Sequence, residues 1–72
     1  MVKHELTSQI TSLPDRENVV FEIYAGSEQV AEISNEPGEG LRIEIFNCPD
    51  GAWSFDLDTF SSLVEQGKKS II

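Results

Sequence analysis

Two stretches of the chain repeat with a period of two. In VVFEIYA, residues 19–25, Phe21, Ile23 and Ala25 alternate with Glu22 and Tyr24. In LRIEIFN, residues 41–47, Leu41, Ile43 and Ile45 alternate with Arg42, Glu44 and Phe46. Successive side chains of a strand point to opposite faces, so each stretch reads as a strand with one buried and one wet face. Such a sheet needs a second layer over its apolar side.

The remaining elements follow from turn chemistry. EQVAEIS pairs with the first strand through AGSE. A two-residue Gly26-Ser27 loop would set Phe21 opposite Glu32. A three-residue loop through Glu28 sets Phe21 opposite Ile33, Ile23 opposite Ala31 and Tyr24 opposite Val30, which keeps like with like. EPGEG leads into the third strand, and Pro49-Asp50-Gly51 suits a turn into a fourth, with Trp53, Phe55 and Leu57 inward. From Asp58 the period becomes helical, with Phe60, Leu63, Val64 and Ile71 on one stripe. Asp58, or Asp56 one step earlier, caps the first turn, and Gly67 reads as an early C-terminal cap. Leu6, Ile10 and Leu13 fall at helical spacing, so residues 1–18 read as a short N-terminal helix or irregular arm ending at Pro14. The expected fold is α+β: a four-stranded antiparallel β-meander over residues 19–57, packed against a C-terminal helix over 58–69. With 72 residues this is one domain.

Thirteen acidic residues against five Lys and Arg give a net charge of −8, which repels nucleic-acid backbones and anionic lipids and attracts basic partners. A single Cys makes no internal disulfide, and no apolar run has the length of a signal peptide or a membrane span. A cytoplasmic protein, complete as written, is expected.

Catalysis finds few residues to work with. His4 is the one His, and Cys48, between Asn47 and Pro49 beside Asp50, has no base next to it in sequence to activate a nucleophile. Asp50, Asp56 and Asp58 lack the regular ligand ladder of a calcium loop, and EPGEG is too acidic to cradle phosphate. No enzyme, metal or cofactor is expected. The outer sheet face is more informative: with registers chosen for the first and last hairpins, and the second left open because NEPGEG can close at more than one length, it carries Glu22, Glu32, Glu44 and Asp56, with Arg42 as the one opposing charge, beside Tyr24, Val30 and Phe46. Like charges on facing strands are destabilising, and aromatic anchors ringed by acids have the layout of a hot spot and its rim. These seven residues are the expected partner-binding set.

In size, charge and the run of strands VVFEIYAG, EQVAEISNE and LRIEIFN before WSFDLDTFSSLVEQGKK, the chain resembles the small acidic immunity proteins that bacteria encode beside toxin genes. The resemblance implies a non-enzymatic inhibitor that occludes a basic partner such as a toxin nuclease, with Glu22, Glu32, Glu44 and Asp56 standing in for substrate phosphates. Phage-encoded inhibitors of defence nucleases work on similar lines. The alternative is a self-associating structural module that pairs an edge strand or stacks Tyr24 and Phe46 into a homodimer.

Overall fold

The computed structural model describes residues 5–71. Four strands, β1 (Leu6–Thr11), β2 (Val20–Ala25), β3 (Glu28–Glu36) and β4 (Gly40–Ile45), form one antiparallel sheet in the order β1-β2-β3-β4, followed by helix α1 (Leu57–Ser70). The α+β class and the meander are as expected. The strands that compose the meander differ at both ends.

The N-terminal stretch is a strand and not a helix. Leu6, Ser8 and Ile10 lie opposite Ala25, Ile23 and Phe21 on the inner face, while Thr7, Gln9 and Thr11 lie on the outer one. The same residues satisfy a helical and a two-residue period, and Thr favours the strand. Tertiary demand decides between them: the free edge of β2 needs a partner, and outer-face Glu22 needs donors that Gln9 and Thr11 supply. At the other end, the turn comes where Pro49 and Gly51 indicated, with the Gly51 N–H donating to the Cys48 carbonyl. Among the described residues no strand follows it. The Trp53 indole N–H instead donates to the Phe46 carbonyl at 2.7 Å, and the rings of Trp53, Phe55 and Phe60 stack in series with centroids 5.6 and 5.7 Å apart. Trp53 and Phe55 pack on the core as expected, but Leu57 is 76% exposed.

Both loop lengths weighed for the first hairpin prove partly right. Phe21 faces Ile33 and Ile23 faces Ala31, yet Ala25 faces Glu28 around a two-residue Gly26-Ser27 turn. Gly26 has φ 61° at the first corner, the place a type II′ turn reserves for Gly. A bulge reconciles the two registers: Val30 is the extra residue on β3, and Tyr24 faces Gln29. The second hairpin closes with Pro37 and Gly38 at the corners, Gly38 at φ 81°, and the Glu39 N–H on the Glu36 carbonyl, the arrangement of a type II turn.

Phe21, Ile23, Ala25, Val30, Ala31, Ile33 and Ile71 make the core, with Leu6, Phe60, Leu63 and Val64 packed against it. Burying a side chain such as Phe21 or Ile23 contributes about 1.5–3 kcal/mol. Asp56 caps α1: its carboxylate accepts from the Thr59 N–H at 3.0 Å and the Thr59 hydroxyl at 2.9 Å. Gly67 does not end the helix, which continues to Ser70. It is buried, and a Cβ there would meet Phe21 Cδ2 at 2.6 Å and Ile33 Cδ1 at 2.8 Å. The missing side chain lets α1 sit directly on β2 and β3.

Candidate functional site

The outer face carries a straight cross-strand row: Gln9 faces Glu22, Glu22 faces Glu32, and Glu32 faces Glu44. The three acids share the outer face as expected, and the β3–β4 register, which the sequence left open, sets Glu32 opposite Glu44. Its centre is closed to solvent, with Glu22 6% and Glu32 7% exposed. Glu22 Oε1 accepts from Gln9 Nε2 at 2.8 Å, Thr11 Oγ1 at 2.9 Å and the Tyr24 hydroxyl at 3.3 Å, while Oε2 accepts from Gln29 Nε2 at 3.4 Å. Burial pushes the Glu22 carboxyl up, and these four donors together more than reverse it, leaving the pKa below its ordinary value. Glu22 ties β1, β2 and β3 together.

Glu32 has the opposite balance. Its partner is the Arg16 guanidinium, reaching in from the β1–β2 connection. Burial raises the Glu32 pKa, Arg16 pulls against it, and the charges of Glu44, Glu22 and Asp15 add to the rise, so the net shift is upward. Tyr24 is half-buried and its pKa is raised, first by burial and then by the Glu22 charge and hydrogen bond.

The seven expected partner-binding residues thus separate. Glu44 is exposed on the outer face. Glu22 and Glu32 are buried and engaged internally, and Tyr24 is tied to Glu22. Val30 is not on the outer face, because the bulge turns it into the core at 1% exposure. Phe46 is half-buried, its N–H donating to Val30 and its carbonyl accepting from Trp53. Asp56 is exposed but belongs to the helix start and not to a fourth strand of the outer face; the Thr59 N–H and then its hydroxyl hold its pKa below the ordinary value.

The structure adds acids that the strand pattern did not single out. Glu36 at the end of β3 accepts from the Glu17 N–H at 2.8 Å and the Asn18 N–H at 3.0 Å, and the Asn18 side chain donates to the Asn35 carbonyl. These bonds fasten the β1–β2 connection to the β3–β4 hairpin. Asp15, Glu17, Glu36 and Glu39 consequently gather at one end of the sheet, while Arg16, from the same connection, is drawn inward to Glu32. A polar groove lined by Arg16, Ser34, Glu39, Arg42, Ile43 and Glu44 runs from there along the outer face. The sequence signal was present: DRE and EPGE are the acidic turns on either side of the first two long strands.

Cys48 is half-buried in its turn, and His4 lies outside the described residues. Among the described residues no three His, Cys, Asp or Glu side chains are grouped to hold a metal ion, and no helix is long and apolar enough to cross a membrane. No family model, curated protein or solved structure gives a significant match to this chain.

Proposed function

We propose that this protein is a non-enzymatic acidic binding protein that inhibits or neutralises a basic partner in the cytoplasm, as an immunity protein blocks a toxin nuclease. The supporting observation is the acidic end of the sheet. Glu36 draws two loops together, and Arg16, which separates Asp15 from Glu17 in sequence, is engaged by Glu32 within the groove. Asp15, Glu17 and Glu39 are exposed there, with Glu44 further along the groove. Carboxylates held by a folded scaffold present a fixed negative array to Lys and Arg at little further cost in order. In this reading Glu22, Glu32 and Tyr24 support the surface and Glu44 belongs to it.

The test is capture from the native host, comparing the parent protein with a variant carrying Asp15→Lys, Glu17→Lys and Glu39→Lys. A basic protein retained by the parent, released by rising salt and lost from the variant is the expected result. A partner that both forms hold equally, or that is indifferent to salt, would refute the acidic docking surface.

A further inference from the structure

The chain leaves one sheet edge unfinished. Strand β4 is one of the two edges of the sheet, β1 being the other, and all six of its residues are exposed. Helix α1 packs chiefly over β1, β2 and β3, so the inner-face side chains of β4 lie at the margin of its cover. Leu41, Ile43 and Ile45 are 43%, 44% and 60% exposed. Leu41 and Ile43 border an apolar groove that Ile33, Val64 and Lys68 complete against the helix. Edge strands usually carry Pro, a bulge or several charges that discourage pairing. Here Gly-Leu-Arg-Ile-Glu-Ile has one Arg and one Glu, and an unbroken register with β3.

The peptide groups of β4 alternate between β3 and the free edge. The Phe46 N–H donates to the Val30 carbonyl at 2.9 Å, continuing the register in which Ile45 faces Ala31. Peptide groups of an antiparallel strand alternate in direction, so Glu44 and Arg42 also bond toward β3. Leu41, Ile43 and Ile45 direct their N–H and C=O groups outward along the free edge.

We infer that β4 is a self-complementary edge that pairs antiparallel with β4 of a second copy, about a two-fold axis through Ile43. In that register Ile43 faces Ile43 of the other copy, and Leu41 faces its Ile45, each by the outward-pointing peptide groups. Arg42 faces Glu44 of the other copy, twice by symmetry. Sliding by one residue sets the inner face of one copy against the outer face of the other. Sliding by two sets Arg42 against Arg42 or Glu44 against Glu44, which is repulsive. The Ile43-centred register alone joins apolar to apolar and opposite charge to opposite charge. It yields one eight-stranded sheet with both helices on the same face and six aliphatic side chains filling the valley between them. The pairing does not rest on the acidic docking surface proposed above.

Sedimentation equilibrium on the full chain tests it. The 8.0 kDa chain should approach twice that mass as concentration rises toward about 1 mM, the range in which weak interfaces of small area associate. Ile43→Lys should leave a monomer throughout. Arg42→Glu and Glu44→Arg should each weaken the dimer by about tenfold, since either sets like charges opposite at two places. The double variant should restore the parent's association. Far-UV circular dichroism and dilute-solution melting check that each variant folds, which the exposure of all three positions favours. A monomer at every concentration, a dimer untouched by Ile43→Lys, or a double variant no tighter than the single ones would each overturn the inference.

Discussion

Replacing Gly67 with Ala sets a helix rule against a packing rule. In an exposed helix, Gly→Ala gains up to about 1 kcal/mol, and somewhat less in the last turn, where Gly67 lies. Here the added Cβ would stand 2.6 Å from Phe21 Cδ2, 2.9 Å from Phe21 Cγ and 2.8 Å from Ile33 Cδ1. Phe21 is 2% exposed and Ile33 4%, so neither side chain has solvent to retreat into. The helix must rise off the sheet, and overpacking of this kind costs about 1–3 kcal/mol. The net expectation is a loss of about 1–2 kcal/mol. For a domain of this size that lowers Tm by roughly 5–15 °C. At a urea m-value of about 1 kcal/mol/M, the midpoint falls by about 1–2 M. Urea unfolding followed by Trp53 fluorescence measures this directly. In a Phe21→Leu background the same substitution should cost less, because the ring that it strikes is gone, with a coupling of about 0.5–1.5 kcal/mol. A Gly67→Ala midpoint at or above the parent's would refute the close approach, and equal costs in both backgrounds would refute the assignment to Phe21.

The two buried glutamates should answer in opposite senses. Glu22 has a lowered folded pKa, so its stabilisation is full above the unfolded pKa and is lost as pH falls through the folded one; Glu22→Gln should cost about 1–3 kcal/mol near neutral pH and much less in acid, read by urea unfolding across pH. Glu32 has a raised folded pKa, so its contribution improves as pH falls from above the folded pKa toward the unfolded one; Glu32→Gln should be tolerated near neutral pH and should flatten that part of the stability profile. Asp56→Ala should lower helical circular dichroism and stability, with Asn at the same position recovering most of both, because an amide oxygen also accepts from the Thr59 N–H. Trp53→Phe should cost about 0.5–1.5 kcal/mol in thermal unfolding, for the lost bond to the Phe46 carbonyl.

Residue patterns alone determined a good deal. Alternation in residues 19–25 and 41–45 specified two strands and which side chains share a face, and the helical stripe of Phe60, Leu63, Val64 and Ile71 specified the covering element. That Glu22, Glu32 and Glu44 share the outer face was legible from alternation and from apolar matching across the first hairpin, whereas the register that lines Glu32 up with Glu44 was not, because NEPGEG can close at more than one length. Only tertiary structure decided the rest. LTSQIT fits two periodicities, and the choice of strand came from what β2 and Glu22 required of a neighbour. WSFDL has the alternation of a strand, yet its aromatic rings stack in series onto Phe60 of the helix and pack against the core, and its backbone does not extend the sheet. The single-residue bulge at Val30 removed one expected anchor from the outer face. Which acids face solvent was likewise beyond periodicity, since Arg16 is bound to Glu32 and Glu36 to a loop by partners 16 to 19 residues away in the chain. Local pattern is set by each residue and its near neighbours, whereas burial of charge depends on donors that the folded chain alone brings together.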